Sequence, residues 1–281
     1  MGAARMCLTG ARSGHTRSGL PYNRFGVGPG TVVVFQGMRF ENRSLSGLAL
    51  WLFRDLYRRL EANYTMCLLA RRPGLPEGYS LRDMSNDYAA TIREELGGPV
   101  DVVGLSTGGL IAQHFAADHP DLVRRLVLHS SAHRLSEGAR RLQERVRELA
   151  LERRWRAAYA AVFAAMAPHR GVMGKVAAVT AWLAAPFGGL LLGRPSDPSD
   201  LAVTYAASSA HEFVDRLARI QVPTLVVGGE RDPFYTPVSF RETAEGIPNA
   251  RLRLYERMGH PVSGRRFARD LLEFLAAQAP D

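Results

Sequence analysis

The chain has 281 residues, enough for one α/β domain with a buried core, and its 46% hydrophobic and 22% charged residues exclude a disordered protein. Its formal net charge is +9, carried almost entirely by scattered arginines, with Lys175 as the only lysine. Because the arginines are scattered along the chain, we interpret their number as a general use of arginine in place of lysine and not as a nucleic-acid-binding surface. Cys7 and Cys67 are the only cysteines, which excludes a disulfide framework and a cysteine-based metal site and suits the cytoplasm.

The N-terminal segment, residues 1–19, has no regular pattern and no apolar run long enough for a signal peptide, so we expect a disordered or weakly ordered tail. Residues 20–26 alternate enough for a short edge strand. Residues 31–35 are continuously apolar, which predicts a strand covered on both faces. Gly37 follows this strand and allows close backbone approach, so this loop could place an amide that binds an oxyanion.

The next segments alternate between helix and strand patterns. A helix is predicted over residues 48–60, with the core-facing stripe Trp51, Leu52, Leu56 and Leu60. Further elements are a strand at 64–69, a helix at 80–96, a strand from Val100 into the turn at 104–108, a helix after it, and a strand at 122–128. This alternation predicts an α/β fold with a mostly parallel central sheet and helices on both faces.

Residues 136–211 interrupt the alternation. Residues 137–166 predict a long arginine-rich helix, whose interleaved glutamates favour a solvated face over phosphate binding. Residues 172–193 are more apolar, but Lys175, a proline and paired glycines interrupt them, so we expect no membrane span. We interpret 136–211 as a helical lid inserted into a core of residues 20–135 and 212–281.

Ser106 lies in the string Gly-Leu-Ser-Thr-Gly at 104–108, between a strand pattern and a helix pattern. A tight strand-to-helix turn presses neighbouring backbone against Gly104 and Gly108, where a side chain would collide. The serine hydroxyl then lies at a helix N-terminus, whose free amides favour developing negative charge. The string therefore predicts a nucleophile, with an ordinary helix cap as the alternative.

A serine nucleophile needs a base, and histidine suits this role because its pKa lies near operating pH. Among the eight histidines, His260 lies in a glycine-flanked loop before the last helix, downstream of an acid that itself follows a strand. His129 and His133 follow a neighbouring strand and could also reach a pocket. The acid we select is Asp232, with Glu230 as the alternate.

The order Ser106, Asp232, His260, together with the Gly-Leu-Ser-Thr-Gly turn, resembles the α/β-hydrolase fold superfamily, as a serine hydrolase with a helical lid, from residue 20 to the C-terminus. The resemblance implies that these three residues form a catalytic triad. It also implies an oxyanion hole made by the backbone amides of Met38 and Thr107.

The loop after the first buried strand departs from the family pattern, since Gln36-Gly37 stands where relatives commonly have His-Gly. Because the donor is a backbone amide, the glutamine is compatible with activity, but it leaves open how the loop is braced. Arg39 could contact a substrate carboxylate or form a surface salt bridge. Candidate pocket residues are thus Gln36, Gly37, Arg39 and Phe234.

These residues predict two-step acyl transfer, so we expect a serine hydrolase acting on carboxylic esters of small apolar substrates. A thioesterase, a carbon-carbon hydrolase or an acyltransferase would use the same triad, and a low-turnover binding protein would keep the same pocket. We expect no metal or organic cofactor. The expected partner is a small-molecule substrate, with no nucleic acid and no stable membrane insertion, while the oligomeric state stays open.

Overall fold

An eight-stranded sheet forms the centre of the computed structural model, which describes residues 12–166 and 172–277. The strands are β1 (Ser13–His15), β2 (Pro21–Phe25), β3 (Gly30–Phe35), β4 (Tyr64–Leu69), β5 (Val100–Leu105), β6 (Val123–His129), β7 (Thr224–Gly229) and β8 (Ala250–Tyr255). Their spatial order is β1-β2-β4-β3-β5-β6-β7-β8. Strands β3 to β8 run parallel, whereas β2 is antiparallel to β1 and β4. The predicted mostly parallel sheet is therefore confirmed.

Helices cover both faces of this sheet. Those in the described ranges are α1 (Gly47–Tyr57), α2 (Leu81–Glu95), α3 (Thr107–Asp118), α4 (Glu137–Leu151), α5 (Trp155–Met166), α6 (Val172–Ala184), α7 (Gly188–Leu192), α8 (Ser199–Ser209), α9 (Pro237–Gly246) and α10 (Arg265–Ala276). Phe115 of α3 and Phe240 of α9 share one buried cluster with Val33, while Phe53 of α1 and Phe267 of α10 share another on the opposite face. Alternate residues of β3 enter the two clusters, which explains its continuous apolar run.

The structure differs from the sequence prediction at the start of the chain. We expected residues 1–19 to form a disordered or weakly ordered tail. Residues 1–11 lie outside the described residues, but β1 lies in this segment and pairs with β2. The Arg17 amide donates to the Glu95 carboxylate of α2 at 2.8 Å. Such single polar contacts leave no periodic signal in a sequence. Because β1 pairs with its outer side, β2 is not the edge strand that was predicted for residues 20–26.

Helix α1 buries a different face from the predicted one. Trp51 is 63% exposed and Leu52 is 44% exposed, so assigning these two residues to the core was wrong. The buried positions are Ala49, Phe53 and Tyr57, spaced four residues apart. Two apolar stripes overlap on this helix, and periodicity alone does not decide which one faces the sheet.

Helices α4 to α8 lie between β6 and β7 in the chain. Arg153 adopts a φ of 57°, and this left-handed residue divides the predicted helix 137–166 into α4 and α5. Helices α4, α5 and α8 of the insertion share a buried cluster, which Phe40 from the loop after β3 joins by stacking on Tyr159 at 4.9 Å. Within the described ranges, none of the helices has both the length and the apolar character needed to span a bilayer.

The start of the insertion is fixed to the loop after β7. Ser136, the residue before α4, donates its amide to the Phe234 carbonyl at 2.8 Å and its hydroxyl to the Pro233 carbonyl at 3.3 Å. The same hydroxyl accepts the amide of Ala139 and caps α4. The first turn of α4 therefore keeps a defined position over the sheet.

Two histidines, the fully buried His129 and the partly buried His114, are held in their neutral form. Burial lowers the pKa of His129 to about 3 and that of His114 to about 4, and the neighbouring Arg216 lowers the His114 pKa further. In the unfolded chain these groups titrate near 6.5, so the unfolded state binds more protons than the folded state below that pH. The free energy of unfolding accordingly falls as pH decreases from about 6.5 towards 4.

We expect urea unfolding to give a smaller free energy of unfolding at about pH 5 than at about pH 7.5, and His114→Gln to reduce this difference by roughly 1 kcal/mol. The substitution removes one group that the unfolded chain protonates. His15→Gln, at an exposed side chain, is the control and leaves the difference unchanged. An identical pH dependence in the wild type and His114→Gln would contradict the lowered pKa.

Candidate active site

Ser106 occupies the turn between β5 and α3 in a strained backbone conformation, with φ 52° and ψ −121°. A Cβ atom on Gly104 would lie 2.5 Å from the Cα of Gly109, and one on Gly108 would lie 2.1 Å from the Phe35 carbonyl oxygen. Both distances are shorter than real Cβ contacts, so no side chain fits at either position. This crowding agrees with the predicted steric reason for the two glycines.

The Ser106 side chain belongs to a continuous chain of hydrogen bonds. Its hydroxyl donates to Nε2 of His260, with the heavy atoms 2.9 Å apart, and makes no capping bond to α3. Nδ1 of His260 donates to Oδ2 of Asp232 at 2.8 Å. The carboxylate fixes the tautomer with its proton on Nδ1, which leaves the Nε2 lone pair free to accept the serine proton.

Phe234 and Tyr235 hold both the acid and the base. Their backbone amides donate to Oδ1 of Asp232 at 2.8 and 3.1 Å, so both carboxylate oxygens have partners. The Phe234 ring meets the His260 imidazole edge-on with centroids 4.7 Å apart, and the Tyr235 ring stacks on it at 6.1 Å. Phe234 was predicted near the pocket, whereas Tyr235 carried no signal beyond following the acid.

His129 and His133, the alternatives for a pocket histidine, serve other contacts. His129 is fully buried, accepts a hydrogen bond from Tyr57 at 2.7 Å and donates to the Val262 carbonyl at 2.8 Å. His133 contacts the Thr243 hydroxyl at 3.1 Å. Neither lines the cavity at Ser106. The bond to Val262 instead anchors the loop that carries His260.

Two backbone amides are available beside the serine hydroxyl. Thr107 is the first residue of α3, and Met38 follows the end of β3 by three residues; both line the same cavity as Ser106. A Cβ atom on Gly37 would lie 3.5 Å from Ser106 Cβ, so this loop passes close to the serine. In the described part of the chain neither amide donates to a protein acceptor, which leaves both free for a ligand oxygen.

A buried arginine braces this loop. Nη1 of Arg71, two residues beyond β4, donates to the carbonyl oxygens of Gln36 at 3.2 Å and Gly37 at 3.3 Å. Arg71 is 1% exposed, and its Nε and Nη2 have no partner among the described residues. Burial lowers its pKa, but a guanidinium keeps its charge at neutral pH. The only sequence signal was a charged residue directly after an apolar strand.

Two of the four candidate pocket residues do not reach the cavity, which corrects the prediction. The cavity lining includes Gly37 and Phe234 but neither Gln36 nor Arg39. Gln36 is buried beside the sheet, and the Arg39 guanidinium donates to the Leu191 carbonyl at 2.6 Å. Burial lowers the pKa of Arg39 to about 10. Gly37, Met38 and Phe40 of the same loop line the cavity instead.

The cavity above Ser106 and His260 has a volume of about 200 Å³. Its described lining is mainly apolar and includes Phe40, Leu135, Leu142, Val162, Met166, Leu192 and Phe234, together with the polar residues Gln143, Tyr205 and Tyr235. Helices α4, α5, α7 and α8 supply much of this wall. Such a lining excludes water and accommodates a small apolar group.

We expect Arg71→Met to increase hydrogen exchange of the peptide spanning residues 36–40 by about tenfold or more, because the loop carbonyls lose their donor. Mass spectrometry of exchanged, pepsin-digested protein measures this effect. Arg72→Met is the matched control, since its guanidinium is 45% exposed and pairs with Asp87. Equal exchange in the two variants would show that Arg71 does not hold the loop.

Comparison with known proteins agrees with this architecture. Residues 66–264 match the family described as alpha/beta hydrolase fold. The chain is 30% identical over 278 residues to polyketide synthase ThaQ of Burkholderia thailandensis, a match that covers 90% of this chain but spans only 12% of that synthase. It is 26% identical over 221 residues to a pimeloyl-[acyl-carrier protein] methyl ester esterase of Neisseria meningitidis serogroup C, covering 74% of this chain and 81% of the esterase.

Solved structures show the same fold at low sequence identity. The enol-lactonase from Burkholderia xenovorans LB400 superposes with a TM-score of 0.70 at 20% identity, covering 94% of this chain and 100% of the lactonase. This likeness concerns the fold alone. With the family match extending over most of the chain, the conclusion is direct: this protein belongs to the alpha/beta hydrolase fold family.

Proposed function

We propose that this hydrolase cleaves carboxylic esters of small apolar substrates, with Ser106 as nucleophile, His260 as general base and Asp232 as the acid that orients it. The observation that carries the proposal is the unbroken hydrogen-bond chain, 2.9 Å from Ser106 to His260 and 2.8 Å from His260 to Asp232. Distances in this range permit proton transfer between serine and imidazole.

In the first half of the reaction, His260 Nε2 takes the hydroxyl proton as Ser106 Oγ bonds to the ester carbonyl carbon. The carbonyl oxygen becomes an oxyanion that accepts hydrogen bonds from the amides of Thr107 and Met38. One such donor lowers the barrier by about 3 kcal/mol. The bond to the alcohol oxygen then breaks, and His260 returns the proton to the leaving alcohol.

In the second half, His260 removes a proton from a water molecule, whose oxygen attacks the acyl carbon bound to Ser106 Oγ. The same two amides stabilise the second oxyanion. Cleavage of the acyl-oxygen bond, with return of the proton to Ser106, releases the carboxylic acid. Both halves of the reaction use the same residues, and Asp232 stabilises the imidazolium of His260 in each half.

The cavity supports small apolar substrates. Its described lining is mainly apolar and encloses a volume of about 200 Å³. The inserted helices supply much of this wall, and we propose that they act as a lid that excludes water. Names among the relatives point the same way, since a methyl ester esterase and an enol-lactonase are both named for substrates with an ester linkage.

Incubation with a fluorophosphonate probe and intact-mass measurement tests the proposal. We expect one adduct on the wild type and none on Ser106→Ala, because the activated hydroxyl is the reacting group. His260→Ala is expected to label at background rates and to lower kcat/KM for p-nitrophenyl butyrate by about a thousandfold or more. Ser263→Ala, at an exposed serine of the His260 loop, is the matched control and labels like the wild type.

A folded wild type that takes no label and cleaves no ester would contradict hydrolysis and identify a low-turnover binding protein. Matched p-nitrophenyl and thiophenyl butyrates then define the linkage, because both deliver the same acyl group to the same serine. A preference for the thioester above that expected from leaving-group reactivity would reassign the protein as a thioesterase.

A further inference from the structure

The cavity at Ser106 contains a polar side chain that the proposed mechanism does not use. Gln143 of α4 is 6% exposed and lines the cavity among apolar neighbours such as Leu142 and Val162. Among the described lining residues, Gln143 is the one with a side-chain carboxamide. A buried amide in an apolar wall costs free energy unless its hydrogen-bonding groups find partners.

Two hydroxyl groups at the end of α8 fix this carboxamide. Ser208 Oγ donates to Gln143 Oε1 at 2.8 Å, and Ser209 Oγ donates to the same atom at 2.9 Å. A carboxamide oxygen has two lone pairs, so these bonds occupy it fully. Ser208 Oγ also lies 3.2 Å from the Tyr205 carbonyl, which helps to set its position.

The amide nitrogen is left without such a partner. Among the described residues Gln143 Nε2 makes no hydrogen bond, and the atom retains some solvent-accessible surface although its side chain is buried. Because Gln143 lines the cavity at Ser106, we assign this accessible surface of Nε2 to the cavity. The contacts that tie α4 to α8 need only the oxygen, so this helix packing gives the nitrogen no role.

A bound substrate decides whether this donor is satisfied. An entirely apolar chain would cover Nε2, displace water and leave its two N–H bonds without an acceptor. A site whose buried donor is left without an acceptor strongly rejects the ligand that lacks this acceptor. The discrimination is larger than that between two ligands that differ by one methylene group in an apolar pocket. A chain carrying an oxygen acceptor at the right depth would instead bind the nitrogen.

We propose that Gln143 selects esters whose cavity-bound acyl chain carries an oxygen acceptor, such as a ketone, several carbons from the scissile carbonyl. This inference rests on the proposed ester hydrolysis and narrows its substrate class. Gln143 is then a specificity-determining residue, aligned by the Ser208 and Ser209 hydroxyls, and the remaining lining accepts the apolar part of the chain.

The test compares p-nitrophenyl hexanoate with the 4-oxo- and 5-oxohexanoate esters as substrates for the wild type and Gln143→Met. Methionine keeps the length of glutamine but has no N–H donor. We expect at least one oxo ester to exceed hexanoate in wild-type kcat/KM by about tenfold or more, and the variant to bring that ratio close to one. The ratio is independent of the fraction of folded enzyme, so lost stability does not imitate the effect.

Two controls complete the design. Gln221→Met changes an exposed glutamine and is expected to retain the wild-type ratio. The 4-methylhexanoate ester adds a branch without an oxygen acceptor, and an equal preference for it over hexanoate would overturn the assignment of an N–H donor. Wild-type hydrolysis with ratios that Gln143→Met leaves unchanged would overturn the selection while keeping the hydrolase, whereas a wild type inert to every ester and to fluorophosphonate would overturn both.

Discussion

The rest of the site depends on one tight contact, between the end of β3 and the first turn of α3. The Phe35 carbonyl approaches Gly108 so closely that a Cβ atom would sit 2.1 Å from it. With this close approach, the loop carrying Met38 lines the same cavity as Thr107 and as Ser106 in its strained conformation. Any side chain at position 108 would separate the two amides that the proposed reaction requires.

The parallel sheet collects the remaining groups at one edge. Because β3 to β8 run in one direction, their carboxyl ends meet, and the loops after β7 and β8 bring Asp232 and His260 together although 28 residues separate them. The end of β6 contributes through His129, which holds the loop after His260. Burial of β5, β6 and β7 on both faces makes the loop positions at their ends well defined, so the geometry of the site follows from the core.

Patterns that repeat were predictable from the sequence, and isolated contacts were not. The continuous apolar strands and the glycines around Ser106 each reflect a local constraint, which the structure shows directly. Arg71 and Gln143 act through partners 34 and 65 residues away, and one arginine or glutamine carries no periodicity. The prediction of the buried face of helix α1 was wrong for a related reason. Both of its apolar stripes satisfy the helical pattern, and only packing against the sheet determines which one is buried.

The bonds from Ser136 to the carbonyls of Pro233 and Phe234 restrict how the cavity can open. This loop also holds the carboxylate of Asp232 through its amides, so lifting the start of α4 would strain the acid's own support. The first turn of α4 and the support of the acid therefore share one loop. A shift of this turn would act on the carboxylate of Asp232 as well as on the cavity wall, so the sequence of residues 232–236 constrains both at once.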